Sequence, residues 1–299
     1  MSLRSHVLVP ALAVAAATSV LLGGCASNKE GGAGPTGSAT PTVTKDTSLN
    51  ALLPAKIKSA GKLIVGVNVP YSPNEFIQNG KVVGFDVDLV DATAKKLGLT
   101  TVYRQAAFEK IIPSVKGDTY DLGMSSFSDT LEREKSVDFV TYFSAGILWA
   151  AHKGRPVVPT NACGLTVAVQ SNTTEQQDQL PKLSKACTKA GKKPIKILAY
   201  TSQDDATNAV VLGKAAAISA DSPVTAYAIK QSAGKLAPAG KITDAYKYGW
   251  PIKKGSTLVK AMQKALQALI ADGSYAKICK KWGLQSGEIK TAGVNGATS

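Results

Sequence analysis

Short apolar runs of strand character alternate with amphipathic helical patterns along this chain, and the alternation runs through twice. In the first set, Lys62-Leu63-Ile64-Val65-Gly66-Val67 reads as a buried strand. Residues 86–97 read as a helix: Val87, Val90, Ala94 and Leu97 share a face, Asp91 is placed to pair with Lys95, and Gly98 can stop it. A short helix is predicted over 108–115, a strand over 120–125, and two further strands over 137–142 and 146–151. The pattern then restarts, with strands over 165–169, 195–200 and 215–220 and helices from Thr174, over 203–212 and over 222–231. Extended chain over 246–252 and helices over 256–271 and 274–282 complete it. Two such sets imply two α/β lobes, and ligands of this architecture bind where strand ends and helix N-termini converge between them.

The 299 residues are 44% hydrophobic, ordinary material for about two domains. The formal net charge is +14, densest at Lys182, Lys185, Lys189, Lys192, Lys193 and Lys196. No nucleic-acid-binding motif accompanies these lysines, so they read as solvated faces and no nucleic-acid partner is expected. The same charge hints weakly at an acidic ligand. At the N-terminus, Arg4 precedes an apolar run over 7–22 that is short for a membrane span and suits an export signal. The run ends in Leu22-Gly23-Gly24-Cys25, which resembles a bacterial lipobox, with Cys25 as the lipidated residue. Residues 1–24 are therefore expected to be a signal peptide. Residues 25–48, poor in bulky apolar side chains, are expected to be the lipidated cysteine and a flexible tether. Of the remaining cysteines, Cys163 and Cys187 are the expected disulfide, closing a loop of about 24 residues worth about 3.5 kcal/mol in the chain-entropy estimate. Cys279 then stays free.

Nothing in the sequence nominates catalysis. His152 is the one imidazole after the signal, and no His-Glu-x-x-His, Gly-x-Ser-x-Gly, Walker loop or metal cluster is present in the sequence. No cofactor is expected. What stands out is polar residues at strand-to-helix junctions. Ser125-Ser126-Phe127-Ser128-Asp129-Thr130 leads into Leu131-Glu132-Arg133-Glu134. Thr173-Thr174-Glu175 follows another strand, after Asn172, a residue able to take a left-handed turn; a helix starting there presents free N–H groups to an anion. Asp221 precedes Ser222-Pro223, where a carboxylate either caps the helix or holds an ammonium group.

Five of these stretches together resemble the family 3 solute-binding proteins of ABC transporters, the polar amino acid group. They are Gly84-Phe85-Asp86-Val87-Asp88-Leu89, residues 125–133, Val167 to Thr174, Asp221-Ser222-Pro223 and Lys281-Trp282-Gly283, in the family's order over residues 49–290. The resemblance implies an α/β fold of the periplasmic-binding-protein type, two lobes joined by a two-crossover hinge. Lobe 1 is then 49–151 plus 246–290, lobe 2 is 152–245, and 291–299 is a flexible tail. It implies a monomeric, extracytoplasmic protein that hands a polar amino acid to the transmembrane subunits of a permease; the lipobox-like N-terminus adds the expectation of a lipid anchor to the cell membrane. Ligand contacts carry over onto Ser126, Ser128, Arg133, Thr174 and Asp221, with Thr173 beside them and Phe108 where the family often places an aromatic residue. Arg133 would hold the carboxylate through paired bonds and Asp221 the ammonium group. Tyr71, Asn74 and Glu75 are further candidates; Asn74 and Asp129 depart from the family pattern near the expected side-chain pocket. Alternatives are an extracytoplasmic dehydratase on the same fold, with Glu75 as its acid–base group, and a tethered amino-acid sensor.

Overall fold

Asp46 accepts hydrogen bonds from the N–H groups of Ser48 and Leu49 and so caps α1 (Thr47–Asn50), near the start of the chain described by this computed structural model, residues 42–298. The signal peptide and Cys25 lie outside the described residues. The expected tether does not reach Asp46: Val43 is buried in the core, and the N–H of Asp46 donates to Lys96 O. A single bulky apolar residue is enough to pin this stretch.

After α2 (Ala55–Ala60) come β1 (Lys62–Val67), the hairpin β2 (Phe76–Gln78) and β3 (Lys81–Val83), and α3 (Phe85–Lys96). Helix α3 buries Phe85, Val87, Leu89, Val90 and Ala94, with Asp86 and Asp88 in its first turn and Lys95 and Lys96 in its last, as the helix dipole favours. Asp91 accepts from Thr101 and Tyr103 in β4 (Thr100–Gln105) instead of pairing with Lys95. Then follow α4 (Phe108–Lys116), β5 (Leu122–Met124), the single turn α5 (Leu131–Glu134) and β6 (Val137–His152). The two strands expected over 137–151 are one 16-residue strand, because 143–145 stays paired with 246–248 instead of turning.

The second set is β7 (Thr166–Gln170), α6 (Leu180–Lys189), β8 (Lys196–Tyr200), α7 (Gln203–Val211), β9 (Ala217–Asp221) and α8 (Ser222–Gln231). The helix expected from Thr174 opens with a π-helical turn, Glu175–Gln179, before α6. β10 (Leu236–Lys253), α9 (Leu258–Ala271), α10 (Ser274–Trp282) and β11 (Gly293–Val294) complete the chain.

Apart from the separate β2-β3 hairpin, the strands form one sheet in the order β4-β1-β5-β10-β6-β9-β7-β8, with β11 added on β6. β1 lies parallel between β4 and β5, and β7 lies parallel between β8 and β9. Antiparallel β6 and β10 join the two groups, paired from Val137↔Lys253 to His152↔Leu236 with register shifts between Ala239 and Gly249. Each group carries its own core. Leu63, Val65, Phe85, Leu89, Trp250, Leu266 and Leu269 belong to one; Trp149, Val167, Val169 and Leu180 to another, with Ala206, Val210 and Ile218 packed on the opposite face of the second group. The fold is thus the periplasmic-binding-protein type, two α/β halves bridged by two long strands. Cys163 and Cys187 are bonded and Cys279 is buried.

The expectation of a flexible tail over 291–299 fails for its described part. Gly293 and Val294 pair with Thr141 and Val140, and Ala292 is buried. These residues complete the hydrogen bonding of β6, whose backbone on that side would otherwise be unpaired.

Candidate functional site

Strand ends from both halves converge on a narrow cavity, about 300 Å3 including the part open to solvent. It lies at the C-terminal ends of β1, β5, β7 and β9, where this architecture leaves room for a ligand.

Arg133 is set by the turn after β5. Thr130 accepts from the Arg133 N–H and starts α5, too short to place anything by itself. The guanidinium donates from Nη1 to Ser128 O at 2.9 Å and from Nη2 to Asn172 O at 3.0 Å. It lies over the rings of Phe108 and Phe127, 5.6 and 5.4 Å from their centroids, and the two rings stack at 4.4 Å. Burial lowers its pKa and the carboxyls of Glu175 and Asp221 pull it back up, so it stays a cation.

Asp221 sits at the junction of β9 and α8 but makes no capping bond to α8. It accepts from Tyr71 Oη at 2.7 Å. Of the two roles open to it in the sequence, the cap is therefore excluded. Burial pushes its pKa up to about 6, against the lowering effect of Tyr71 and Tyr248. Glu175, in the first turn after Thr174, is pushed up to about 8 by burial and by the nearby Asp221 carboxyl. Glu75 is fully buried, and burial and the neighbouring Asp86 hold its pKa well above the carboxylate range. Asp86 is itself raised to about 6 by burial, although Tyr142 Oη and the Ser126 N–H donate to it.

The hydroxyls follow the same loops. Ser126 takes a left-handed backbone (φ 50°), and its Oγ lies 3.2 Å from Asp86 and 3.5 Å from Glu75. Ser128 Oγ lies 3.5 Å from Thr174 Oγ1, and Thr173 Oγ1 donates to Gln170 O. Asn172 takes the left-handed turn expected of it (φ 65°).

Nine of the ten ligand-contact candidates line this cavity: Tyr71, Glu75, Phe108, Ser126, Ser128, Arg133, Thr173, Thr174 and Asp221. Asn74 stands behind the wall, buried, and donates to Ser126 Oγ at 2.8 Å. Asp129 faces away and accepts from the Gly296 N–H. Sequence reasoning missed Asn68, Ser125, Gln170 and Glu175, which also line it. Asn68 follows β1 and Gln170 ends β7, so position at a strand's C-terminal end was the signal that marked them. Across the cavity, Tyr71 meets Asp221, Ser128 meets Thr174, Arg133 meets Asn172, and Gln170 meets Asn68.

The cavity sets one guanidinium against the three carboxyl groups of Glu75, Glu175 and Asp221. Buried carboxyls without enough cations hold protons, which is why all of them are raised. The arrangement can take one anionic group at Arg133 and positive charge at the acids. Among the described residues no cluster of His, Cys, Asp and Glu has the arrangement of a metal site, and no helix is long and apolar enough to cross a membrane.

Residues 63–285 match the sequence pattern of the bacterial extracellular solute-binding proteins, family 3. An arginine-binding protein of Corynebacterium glutamicum is 38% identical over 295 residues, covering 96% of this chain and 97% of its own. An ancestral arginine-binding protein solved with arginine bound is 31% identical with a TM-score of 0.68, over 74% of this chain and 98% of that one. An ancestral amino-acid-binding protein described as a precursor of cyclohexadienyl dehydratase is also 31% identical, with a TM-score of 0.68 over 76% of this chain and 97% of that one.

Proposed function

Because the chain belongs to the family 3 bacterial extracellular solute-binding proteins, we propose that it captures a basic amino acid, L-arginine foremost, for uptake by an ABC permease. The observation that carries this is the excess of buried carboxyl groups over cations in the cavity. A zwitterion needs one partner for each charge, Arg133 for the carboxylate and Asp221 for the ammonium group. Glu75 and Glu175 then remain, and a cationic side chain satisfies them. An acidic ligand would add a buried negative charge to an already acidic site, at a cost of several kcal/mol. The hint of an acidic ligand drawn from net charge is therefore abandoned, since the lysines that dominate it lie on the surface.

In this reading Ser128 and Thr174 donate to the ligand carboxylate beside Arg133, and Tyr71 orients Asp221. Phe108 covers the aliphatic stem. Glu75, with Asn68 and Gln170, faces the far end. Lobe 1 (49–151 plus 246–290) and lobe 2 (152–245) close about the β6 and β10 crossovers, and the closed form docks on the permease. The ligand favours closure only through contacts it makes better in the closed state. The folded body acts as a monomer held at the membrane through lipidated Cys25; changing Cys25 to Ser should release it from the membrane fraction.

The test is a calorimetric titration with arginine, lysine, histidine, glutamine and glutamate. Arginine should bind tightest and glutamate not at all; tighter binding of glutamate or glutamine than of any basic amino acid removes the proposal. A second reading, turnover by a dehydratase-like enzyme, is favoured by the buried acid Glu75 in the cavity wall and by the likeness to a dehydratase precursor. Recovery of intact ligand after prolonged incubation supports binding alone.

A further inference from the structure

The segment over 292–297 forms a strap, and it grips both flanks of the turn that carries Arg133. Helix α5 has four residues, and Leu131 and Glu132 on it are exposed. Such a turn is not held by its own hydrogen bonds. On its N-terminal side, Asp129 is buried, and its Oδ2 accepts from the Gly296 N–H at 2.7 Å. At its C-terminal end, Glu134 Oε1 accepts from the Ala297 N–H at 3.0 Å.

The strap is itself fixed to the crossover strand. Gly293 N–H donates to Thr141 Oγ1. Asn295 accepts from the Phe139 N–H at 2.8 Å through its side chain, donates to Asp138 at 2.9 Å, and donates its own N–H to Phe139 O. Its left-handed backbone (φ 52°) immediately precedes the two N–H groups that meet the carboxyls. Ala292 closes the near end, its N–H on Gln267 and its carbonyl on Gln263 of α9. The loop before α5 is held from the other side by β10, through Asp129 N–H to Lys247 O and Gly249 N–H to Phe127 O. Strap and crossover strand together leave α5 one position.

We propose that this strap is a positioning device for Arg133, fixing the guanidinium for the ligand's carboxylate. The proposal rests on the assignment of Arg133 to the carboxylate given above. Asp129 and Glu134 act through Arg133 and do not touch the ligand; Asp129, which departs from the family pattern, serves the strap and not the pocket.

The experiment compares L-arginine with L-argininamide, which lacks the carboxylate charge, on the intact chain and on the chain lacking 293–299. Removing the strap should weaken L-arginine by about tenfold, the loss of one charge-assisted bond's worth of orientation. L-argininamide should be unaffected, so the preference for arginine falls by the same factor. Equal weakening of both ligands, or of neither, overturns the proposal. Asp129→Ala in the full-length chain removes the carboxyl that accepts the Gly296 N–H and leaves the backbone of the strap intact; it must show the same selective loss, which covers the case in which the shortened chain does not fold. Arg133→Lys separates the two ideas. If it abolishes the arginine preference while loss of the strap does not, the site reading stands and the strap proposal falls. If the intact chain binds neither ligand, the site reading fails and takes the strap proposal with it.

Discussion

Arg133 reaches two backbone carbonyls, Ser128 O and Asn172 O, while lying across Phe108 and Phe127. A lysine in its place has a single ammonium head and no planar fork to stack and bridge at once. Arg133→Lys should therefore raise the dissociation constant for L-arginine by about 10- to 100-fold, the value of one charged hydrogen bond. Calorimetry decides it, and an unchanged affinity would strip Arg133 of its role. The strand-to-helix junctions that carry Arg133, Thr174 and Asp221 were legible in the sequence, because unpaired backbone groups and polar side chains collect there; the roles of these three residues came from the family resemblance. Glu175 was passed over because an acid in a first helical turn has an ordinary explanation in the helix dipole. Only the fold shows that Glu175 is buried against Asp221. Asp129 was read as pocket-facing because nothing in the sequence placed Gly296 beside it.

Among the elements, helix boundaries were legible wherever local chemistry sets them. α8 and α10 begin and end as expected, with Pro223 in the first turn of α8 and left-handed Gly273 and Gly283 flanking α10. The crossover strands were legible only in part: the ends of β6 and residues 246–252 of β10 were expected as extended chain, and the rest of β10 was not. Residues 240–245 of β10 are exposed almost without a break, so they lack the period-two alternation by which a half-buried strand is recognised. The loop bearing Glu75 depends on a backbone approach of the kind that only glycine allows. Gly84 has φ +145°, and a Cβ there would lie 2.0 Å from Asn74 O and 2.9 Å from Glu75 Cα. Gly84→Ala should cost about 2–4 kcal/mol in urea unfolding, from strain and backbone displacement. It should also weaken arginine binding, because relief of the clash moves Glu75. Gly80→Ala is the control: its φ is +74° but a Cβ there meets nothing within 4 Å, so only the left-handed penalty of about 1–2 kcal/mol applies. Equal costs at the two positions would show that the contact with Asn74 is not tight.

The molecule as a whole is basic, with a formal charge of +14, and its cleft is acidic. That inversion was invisible to composition, because net charge counts lysines on solvated faces equally with acids brought together by the fold. It has a consequence for stability. Burial raises Glu175 from an ordinary 4.5 to about 8 and Asp221 and Asp86 from 3.8 to about 6. A carboxyl with a raised native pKa keeps a proton in the folded chain that the unfolded chain has released. Its contribution is complete below the unfolded pKa and is lost as pH rises through the native one. The ligand-free protein should thus lose stability from about pH 4 to about pH 8 through these groups. A cationic ligand replaces the protons with its own charge, so binding should release protons, detectable as a calorimetric enthalpy that depends on the buffer. The thermal shift given by saturating L-arginine should be larger at pH 8 than at pH 5, and the dissociation constant should fall with rising pH, on the order of tenfold per unit for each proton displaced. Glu175→Gln should make the part between about pH 6 and 8 shallower without abolishing it, since Asp129, raised to about 7, and Glu75, raised well above the carboxylate range, also contribute there; the steeper part below pH 6, where Asp221 and Asp86 titrate, should remain. A thermal shift independent of pH from 5 to 8 would mean that the ligand's charge does not reach these acids.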